Sequence, residues 1–541
     1  MTMKNITILD CTFRDGGYYN SWDFSHELIN EYMKAMAALP VDVVEIGFRY
    51  IPGNSKQFLG GCAYSTDSFI NTIDNPNGLQ IAVMINANDL INYKNGVKEA
   101  VDKLFGPANQ SPVDLVRTAV HTNKVEEALP AISRLKELGY STTVNIMQIA
   151  GLSKDEISNL ALMASAYPID ILYFADSLGS MTPDDVSITI TALRKHWKGK
   201  LGFHAHNNME LALSNAIRAL DEGVTWIDGT VIGMGRGPGN IRTEYLAIEL
   251  ESYLDLEMNH IPLHKLIHNY FKPMQQQYGW GPNPFYYMAG KYGIHPTYVQ
   301  EMLKDSRYDE EDILEVINNL KEAGGKQFNP DTLEAARKFY SGQPRGTWSP
   351  ASVIAGREVL ILGTGPGVAR HRNALEEYIS KNNPYVIALN TQSQVGHDLI
   401  NIRTACHPIR LLADCVEHSY LPQPLVIPAS MLPEYLIYNL RGKELLDYGI
   451  SVQEKTFVFE DNYCIIPKTI VIAYTLAIAT SGKAKRILLA GFDGYGTGDP
   501  RTIEMDELLK LYSEHPESLP IISITPSLYK VPQSTVYDPL L

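Results

Sequence analysis

Three features are scarce in this sequence of 541 residues, and each absence argues against a class of protein. The five cysteines lie far apart without a CxxC pair, which argues against a zinc knuckle, a redox motif or a disulfide framework and fits a reducing compartment. The 46 basic residues are outnumbered by 61 acidic ones and form no basic run, so nucleic acid is not an expected partner. No apolar run approaches the ~18 residues that cross a bilayer, and the first strand begins too early for a signal peptide. We therefore expect a cytoplasmic protein without a membrane partner.

Short β-branched runs alternate with amphipathic helical stretches over the first half of the chain. The runs lie at 6–9, 41–47, 79–85, 113–120, 141–147, 169–175, 200–206 and 225–232. Strands alternating with helices in this way predict a (β/α)8 TIM barrel, in which helices cover the outside of the strands. A doubly wound sheet is the competing layout, and periodicity alone does not separate the two.

Composition divides the chain into four regions. Residues 1–250 are predicted to form the barrel, and residues 251–340, which show helical patterns only, a helical extension that completes the active site. Residues 341–358 are rich in Gly, Pro and Ser and are expected to form a linker. A second α/β pattern begins at residue 359, so residues 359–541 are predicted to form a Rossmann-like α/β domain.

The strongest chemical signal is FHAHNN at 203–208. Side chains at i and i+2 of a strand share a face, so His204 and His206 direct two imidazoles to one point. Asp15 follows the first strand, and Asn240 ends the loop GMGRGPGN after the eighth; strands one and seven lie close around a closed ring. Two imidazoles, a carboxylate and an amide suit a divalent cation with open positions for substrate oxygens. Two histidines satisfied by hydrogen bonds in the core are the alternative for an isolated HxH, but here three strand ends converge.

These motifs resemble those of the DRE-TIM metallolyases, which include 4-hydroxy-2-oxoacid aldolases, 3-hydroxy-3-methylglutaryl-CoA lyase, and the isopropylmalate and citramalate synthases. The strand-one motif of that family appears here as DCTFRDG, its HxH as HAH and its glycine-rich loop as GMGRGPGNIRTE. The resemblance covers roughly residues 5–300. It implies that the metal ligands are Asp15, His204 and His206, with Asn240 as a candidate fourth, and that Arg14 lies beside the enolate oxygen.

The chemistry of such a site is coherent. A 2-oxoacid chelates the cation through its carboxylate and keto oxygens, and the cation acts as a Lewis acid for the charge that develops on the enolate. Arg14 adds a fixed positive donor at that oxygen; a salt bridge to Glu45 or Asp10 is its structural alternative. Mixed nitrogen and oxygen ligation favours Mn²⁺, Mg²⁺ or Co²⁺ over a structural zinc, and sequence does not name the metal.

Within this family the aldolase branch fits best. The loop GMGRGPGN carries no cysteine, which weakens the thioester-lyase alternative, and acetyl-CoA binding, which a Claisen synthase needs, leaves no clear mark. Bacterial hydroxy-oxovalerate aldolases place a histidine three residues after the metal-binding Asp and a tyrosine on the helical extension, and here Tyr18 and His295 appear exchanged. We predict that His295 is the acid/base and Tyr18 its hydrogen-bonding neighbour. The alternative is that His295 fixes the turn before Pro296.

Four more barrel residues are candidates for the site. Glu45 ends the second strand and is expected to support the catalytic groups. Arg49, Asp176 and Arg236 are expected to orient substrate. A structural role is equally open for Glu45, Arg49 and Asp176.

The C-terminal region carries VLILGTGPG at 359–367, which places glycines between a strand and a helix and so offers backbone N–H groups to phosphate. It does not match GxGxxG, and the next strand ends in Asn390 in place of an acidic residue, which disfavours a nicotinamide cofactor. The region also resembles a group of Rossmann-like proteins that includes a bacterial sialyltransferase family and some pterin pyrophosphokinases. That resemblance implies a nucleotide or nucleotide-sugar site at Gly363, Thr364, Gly365 and Asn390. A domain that only packs or assembles is the alternative.

These patterns predict a metal-dependent pyruvate aldolase joined to a nucleotide-binding domain. The expected reaction joins or cleaves pyruvate and an aldehyde, sugar-derived or nucleotide-linked, in the synthesis of polysaccharide precursors. The alternatives are a 3-hydroxy-3-methylglutaryl-CoA lyase or Claisen-type metalloenzyme, a bifunctional protein whose C-terminal half is a glycosyl or pyrophosphoryl transferase, or a C-terminal half that only binds. The family resemblance favours a homodimer.

Overall fold

The computed structural model describes residues 6–51, 59–254, 258–304, 310–322, 343–432, 434–495 and 500–538. The described residues form two compact units, the first ending at residue 304 and the second beginning at residue 310. Within these ranges no helix is both long enough and apolar enough to cross a bilayer.

The first unit is built on eight parallel strands that close into a barrel in chain order. They are β1 (Thr7–Asp10), β2 (Val43–Phe48), β3 (Gln80–Asn86), β4 (Leu115–His121), β5 (Ser141–Met147), β6 (Ile171–Asp176), β7 (Lys200–Ala205) and β8 (Trp226–Gly229). β1 pairs with β8, with Ile8 opposite Ile227, and this pairing closes the ring. The predicted (β/α)8 barrel is therefore confirmed over the doubly wound sheet, and each of the eight predicted runs overlaps an observed strand.

Helices surround the barrel. The α-helices are Thr12–Gly16, His26–Ala37, Gly61–Tyr64, Asp67–Ile70, Ala87–Ile91, Val97–Leu104, Val125–Glu137, Lys154–Ser165, Pro183–Arg194, Ala212–Asp221 and Thr243–Leu254. Single 3₁₀ turns lie at Pro76–Gly78, Ala108–Gln110, Thr122–Lys124 and Val231–Gly233. Two of the long helices begin with a capping box, Ser153 with Glu156 and Thr182 with Asp185, which fixes where each helix starts.

Two apolar layers hold the barrel together. The inner layer consists of Leu9, Cys11, Val43, Ala82, Leu115, Ile171, Tyr173 and Trp226. Because successive side chains of a strand point to opposite faces, neighbours such as Ile8 and Val44 pack outward against the helices. Arg117 of β4 lies inside as well and is fully buried.

Three carboxylates tie neighbouring strands together at their amino ends. In each tie a carboxylate that precedes one strand accepts, at 2.8 Å, a backbone N–H of the strand before it; the pairs are Asp42 with Ile8, Asp114 with Ile81 and Asp170 with Thr142. The ties therefore join β1 to β2, β3 to β4 and β5 to β6. The opposite, carboxyl ends of the strands lead into the loops that carry chemistry in such barrels.

More helical segments follow the barrel within the first unit. They are Ile261–Leu266, the π-helical turn Ile267–Phe271, Lys272–Tyr278, Pro284–Lys291 and Pro296–Lys304. Gly290 of this region packs against the loops after β6 and β7, since a Cβ there would lie 2.8 Å from the Asn208 Cβ and 3.0 Å from the Gly179 carbonyl oxygen. These helices therefore reach the carboxyl end of the barrel.

The helix Glu310–Glu322 belongs to the second unit, where it packs against the helix Pro408–Ala413. From sequence, this helix was expected to belong to the extension of the barrel. Its buried residues Ile313, Val316 and Ile317 give it an amphipathic pattern, but that pattern does not show which neighbour covers the apolar face. Residues 323–340 of the expected extension lie outside the described residues, and the other domain boundaries stay predictions.

The second unit is built on a parallel sheet of seven strands. The strands of this unit are β9 (Glu358–Leu362), β10 (Tyr385–Leu389), β11 (Ile402–Thr404), β12 (Leu425–Ile427), β13 (Leu445–Asp447), β14 (Gly449–Val452), β15 (Val458–Phe459), β16 (Tyr463–Ile466), β17 (Arg486–Ala490) and β18 (Ile521–Ser523). The large sheet has the order β13-β12-β11-β10-β9-β17-β18, and β14-β16-β15 form a small one. The strand order reverses between β9 and β17, which is where open α/β sheets bind ligands.

Helices cover both faces of this sheet. The α-helices, beside Glu310–Glu322, are Ala351–Ile354, Gly367–Arg370, Arg372–Asn382, Pro408–Ala413, Cys415–Tyr420, Glu434–Asn439, Val471–Ser481 and Pro500–Ser513, and 3₁₀ turns lie at His397–Leu399 and Ala429–Met431. Val359 and Ile361 pack in one apolar cluster, whereas Leu360 and Leu362 pack in another. The predicted α/β region is therefore confirmed. Thr347 and Trp348, within the expected linker, donate their backbone N–H groups to the Asp447 carbonyl oxygen at 2.9 Å and so pack into this unit.

Candidate metal centre in the barrel

Three candidate ligands meet at the carboxyl end of the barrel. Asp15 lies in the helix Thr12–Gly16 directly after β1, while His204 lies in β7 and His206 follows it. One ligand atom of each lies within 4.8 Å of the others. The two imidazole centroids are 5.3 Å apart with planes at 74°, and His204 Nε2 lies 3.7 Å from Asp15 Oδ2. The structure thus brings together the three residues that the HxH and DCTFRDG motifs indicated.

Asn240 completes this group. Its Nδ2 donates to Asp15 Oδ2, which orients the amide. The Asn240 Oδ1 and the His206 Nδ1 are buried without a hydrogen-bond partner among the described residues. Buried acceptors normally have partners, so two open ones at this point fit a bound cation. Imidazole nitrogens with carboxylate and amide oxygens are suitable ligands for Mn²⁺, Mg²⁺ or Co²⁺, and the residues present therefore fit a divalent metal.

Two of the candidate ligands, Asp15 and His206, have pKa values shifted toward the form that binds metal. Burial raises the pKa of Asp15, but the charges of Arg14 and of the two histidines outweigh this and hold it well below its ordinary value. Burial lowers the pKa of His206 to about 3, although Asp15 opposes the shift. At neutral pH Asp15 is therefore ionised and the His206 imidazole is neutral, which are the states that metal ligation requires.

Arg14 lies beside this group in a fixed orientation. Its Nε donates to Glu45 Oε2 at 2.8 Å and its Nη1 to Asp15 Oδ1 at 2.8 Å. Of the two salt bridges considered from sequence, the one to Glu45 is present and the one to Asp10 is not. Asp10 is occupied by other donors, namely the hydroxyls of Thr12, Tyr32 and Thr243.

Two residues that the sequence analysis missed connect these groups inside the barrel. Asp228 of β8 binds His204 Nδ1 at 2.9 Å, which leaves Nε2 of that imidazole for a cation. Arg117 donates to Asp228 Oδ2 at 2.6 Å and to Glu45 Oε2 at 3.0 Å. A signal was present in VDLVRTAV and TWIDGTVI, because a charge within a β-branched run of a barrel strand is costly to bury unless it is paired.

The comparisons with known proteins agree with this geometry. A family model described as HMGL-like matches residues 5–268. A 4-hydroxy-2-oxovalerate aldolase of Geobacillus genomosp. 3 is 30% identical over 251 residues, which cover 46% of this chain and 72% of the relative. The chain belongs to the HMGL-like family. A second relative with the same name, from Carboxydothermus hydrogenoformans, is 28% identical over 329 residues, 60% of this chain and 95% of that protein.

Family membership confirms the resemblance to the DRE-TIM metallolyases and the expected class of metal-dependent carbon–carbon lyase. The family match lies within the barrel unit and its first following helices. The roles of the individual site residues and the reaction of this HMGL-like chain stay predictions.

The glycine-rich loop of the HMGL-like barrel is held from two sides. Tyr19 donates its hydroxyl to the Gly235 carbonyl oxygen and accepts the Gly237 N–H, both at 3.1 Å. The indole of Trp280, in the region after the barrel, donates to the Ile232 carbonyl oxygen at 3.2 Å. The helical region therefore supports the loop that ends in Asn240.

Tyr18 makes its contacts through its aromatic ring. Its ring packs edge-on against Trp22 and Phe48, and the Arg236 guanidinium lies 4.3 Å from its centroid. The predicted hydrogen bond between Tyr18 and His295 stays a prediction, since the contacts that the structure gives Tyr18 are those of its ring with Trp22, Phe48 and the Arg236 guanidinium.

His295 lies close to the site. Burial, with further contributions from the charges of Arg236 and His206, lowers its pKa to about 3, so the imidazole is neutral. Its Nδ1 accepts the Thr297 N–H at 3.3 Å, which is a contact that the structural alternative requires. The structure thus places His295 where both of its considered roles remain open.

Arg49 and Asp176 make contacts that favour their structural alternatives. Arg49 donates to the Ser65 carbonyl oxygen and to Asp67, each at 2.6 Å through Nη2, and lies over the Phe105 ring. Asp176 accepts the N–H groups of the loop after β6, from Ser180 at 3.0 Å and Met181 at 2.9 Å. Burial raises the Asp176 pKa to about 6.

Three of the four candidate nucleotide-binding residues lie at the strand reversal of the second unit, and Asn390 lies at the end of the neighbouring strand. Gly363 and Asn390 follow β9 and β10, and the Gly365 N–H donates to the Gly491 carbonyl oxygen at 3.0 Å. Asp493, which the sequence analysis did not single out, accepts the Gly367 N–H at 3.0 Å. A carboxylate therefore uses one of the N–H groups that were expected to bind phosphate. Thr364 is exposed.

Proposed function

We propose that this HMGL-like chain catalyses the reversible aldol cleavage of a 4-hydroxy-2-oxoacid to pyruvate and an aldehyde, and that the reaction depends on a divalent cation. The observation that carries the proposal is the convergence of Asp15, His204 and His206 with the open Oδ1 of Asn240, beside Arg14. The names of the two relatives support it, since both are 4-hydroxy-2-oxovalerate aldolases.

The proposed reaction assigns separate roles to the metal-binding group, Arg14 and Glu45. A divalent cation held by this group would supply a Lewis acid to the keto and carboxylate oxygens of the substrate. Arg14 provides a preorganised positive donor where negative charge develops on the enolate oxygen. Glu45 acts as a positioning residue, because its Oε2 receives both Arg14 and Arg117 and thereby fixes the Arg14 guanidinium.

His295 is the proposed acid/base. In the cleavage direction it takes the proton from the 4-hydroxyl as the carbon–carbon bond breaks. In the aldol addition direction it returns that proton to the new alkoxide. Its lowered pKa, about 3, keeps the imidazole neutral at neutral pH, and the lone pair that takes the proton is then that of Nδ1, which accepts the Thr297 N–H in the structure. Tyr18 lines the site as a flat surface under Arg236 and is not assigned a proton transfer.

The test uses the purified full chain with Mn²⁺, Mg²⁺ or Co²⁺. We expect exchange of the C3 protons of pyruvate in D2O, followed by NMR, and release of pyruvate from 4-hydroxy-2-oxovalerate. Both activities should be lost in Asp15→Asn and His206→Ala, whereas His268→Ala, which replaces an exposed histidine, should retain them. Absence of exchange with all three cations would refute the proposal. Cleavage of 3-hydroxy-3-methylglutaryl-CoA instead would establish the lyase alternative.

For the second unit we propose a nucleotide or nucleotide-sugar site at the strand reversal, and with it a sugar-derived aldehyde for the barrel. The support is the position of Gly363 and Gly365 at the point where the strand order reverses, with Asn390 at the end of the next strand. Because Asp493 adds negative charge to the loop, we expect a nucleoside triphosphate to bind only together with Mg²⁺.

Titration calorimetry of the full chain with CTP and CMP, with and without Mg²⁺, tests this site. A Cβ at Gly365 would lie 2.4 Å from Asp493 Oδ2, so Gly365→Ala should weaken binding, whereas Gly106→Ala, which meets open space, should not. Absence of binding would leave a domain that only packs or assembles. Turnover of the bound nucleotide would indicate a glycosyl or pyrophosphoryl transferase.

A further inference from the structure

Arg236 lies in the loop 233–240, directly beside the candidate metal ligands. The preceding residue, Gly235, packs against them, since a Cβ there would lie 2.4 Å from Asn240 Nδ2 and 3.3 Å from Asp15 Oδ2. The Arg236 guanidinium lies 4.3 Å from the Tyr18 ring centroid and is only half-buried. The Tyr18 ring therefore holds the positively charged guanidinium of Arg236 at the accessible edge of the site by a cation–π contact.

The carboxylates of the candidate metal site and of its supporting residues are engaged by other donors. Arg14 pairs with Asp15 and Glu45, and Arg117 pairs with Asp228. Within the described part of the chain, Arg236 forms no ion pair with any carboxylate. The chain as a whole carries 61 acidic against 46 basic residues, so a guanidinium without a counter-ion is unexpected unless it receives an anion from outside.

We propose that Arg236 binds an anionic group, a phosphate or a carboxylate, on the aldehyde, so that the second substrate of this enzyme is a negatively charged aldehyde. The inference rests on the aldolase function proposed above. In the addition direction, the pyruvate enolate carbon forms a bond to the aldehyde carbon, and the former carbonyl oxygen takes a proton. The anionic group is unchanged and serves as the anchor.

The two arginines of the site then have different roles. Arg14 is fixed by two carboxylates at the enolate end, where charge develops during the reaction. Arg236 has no such partner, so it is free to form a charge-assisted hydrogen bond that is equally present before and after bond formation. Arg236 should therefore determine which aldehydes the enzyme prefers, by binding anionic aldehydes more tightly than neutral ones.

That selection is measured by assaying the wild type, Arg236→Gln and Arg236→Lys with pairs of anionic and neutral aldehydes. Glyceraldehyde 3-phosphate is compared with glyceraldehyde, and succinic semialdehyde with butanal, as the ratio of kcat/KM of the anionic to the neutral member. We expect a wild-type ratio above 1 that falls about 10- to 100-fold in Arg236→Gln, as for the loss of a charge-assisted hydrogen bond, and falls less in Arg236→Lys. The pair with the larger change identifies phosphate or carboxylate as the anchor.

Arg242→Gln is the matched control, because Arg242 likewise lies over a tyrosine ring, 5.1 Å from the centroid of Tyr245, which is exposed. It should keep the wild-type ratio. The same ratio in wild type and Arg236→Gln would overturn the inference, and so would a rise in the KM for pyruvate alone, since Arg236 would then bind the keto acid.

A binding measurement separates this inference from the proposed reaction. Glycerol 3-phosphate, butyrate and glycerol are titrated into the wild type and Arg236→Gln by calorimetry, which needs no turnover. Tighter binding of either anion than of glycerol, lost in Arg236→Gln, supports the anion site even if pyruvate exchange is absent. No difference between the three ligands, with pyruvate exchange intact, refutes the anion site and leaves the aldolase proposal standing.

Discussion

Arg117 Nη2 lies 2.6 Å from Asp228 Oδ2, the same oxygen that binds His204 Nδ1. Burial lowers the pKa of Arg117, but the charges of Asp228 and Glu45 outweigh it and raise the pKa above its ordinary value. A chain of alternating charges inside the barrel therefore supports the candidate metal centre. Arg117 links Asp228, which binds His204, to Glu45, which binds Arg14.

Replacing Arg117 should affect stability and metal binding together. In Arg117→Met the buried Asp228 loses its arginine partner and the buried Glu45 keeps only Arg14, and we expect the free energy of unfolding to fall by about 3 to 5 kcal/mol. Urea unfolding followed by fluorescence measures this, because Trp22, Trp197 and Trp226 lie in the barrel unit. Arg134→Met removes two surface ion pairs and should have little effect. A loss below about 1 kcal/mol would contradict the linking role.

Asp228→Asn tests the orientation of His204 with little change of shape. The amide cannot hold the imidazole and Arg117 as the carboxylate does, so we expect Mn²⁺ affinity to fall about 10- to 100-fold. Calorimetric titration with Mn²⁺ gives the affinity directly. Asp221→Asn, which alters an exposed carboxylate bound to Tyr253, is the control. Unchanged affinity in Asp228→Asn would show that His204 keeps its orientation without this partner.

Tyr19→Phe tests the support of the glycine-rich loop. The change removes the hydrogen bonds to Gly235 and Gly237 but keeps the ring that stacks on Tyr278 at 5.6 Å. We expect a loss of about 1 to 2 kcal/mol in unfolding free energy and weaker Mn²⁺ binding, since Asn240 ends this loop. Tyr278→Phe preserves the stacking and should change neither. Wild-type Mn²⁺ affinity in Tyr19→Phe would mean that the loop is held elsewhere.

His295→Ala distinguishes the two roles of this histidine. As the acid/base, its loss should lower kcat for cleavage about 10²- to 10⁴-fold, while the pyruvate C3 exchange should fall less, because exchange needs no proton transfer at the 4-hydroxyl. A fixing role in the turn with Thr297 predicts instead a lower melting temperature with exchange and cleavage reduced alike. Full cleavage activity in His295→Ala would exclude the acid/base role.

Asp176 should give the barrel a defined dependence of stability on pH. Its pKa is raised to about 6 in the folded chain, chiefly by burial, from an ordinary value of 3.8. The folded state therefore binds a proton that the unfolded state lacks between these values, and this contribution to stability, roughly 3 kcal/mol, is present at low pH and lost as pH rises through 6. The difference in unfolding free energy between wild type and Asp176→Asn should therefore grow in favour of the wild type from pH 7.5 to 5. The opposite trend would contradict the raised pKa.

The sequence was most informative where function and local pattern coincide. His204 and His206 occupy alternate positions of one strand, so their shared direction follows from geometry that any strand has. Their convergence with Asp15 followed from the closed ring, which eight alternating strands favour. The barrel and its candidate ligands could therefore be predicted together.

Contacts between residues that are distant in sequence could not be predicted from local patterns. Arg117 and Asp228 are 111 residues apart and meet only because β4 and β8 enclose the same interior. The helix Glu310–Glu322 was recognised as amphipathic, but its partner Pro408–Ala413 is a distant segment, and no local pattern identifies it. The contact between the Tyr18 ring and Arg236 likewise depends on the conformation of the glycine-rich loop 233–240, which the sequence does not determine. Residues far apart in sequence are coupled by packing alone.

The carboxylate ties at the amino ends of the strands have a consequence for how the barrel can be rearranged. They group β1 with β2, β3 with β4 and β5 with β6, so six of the eight barrel strands form three two-strand modules. New termini placed between β2 and β3, or between β4 and β5, leave every module intact. Termini placed between β1 and β2 separate Ile8 from Asp42 along the chain, so circular permutants opened within a module should assemble more slowly than those opened between modules.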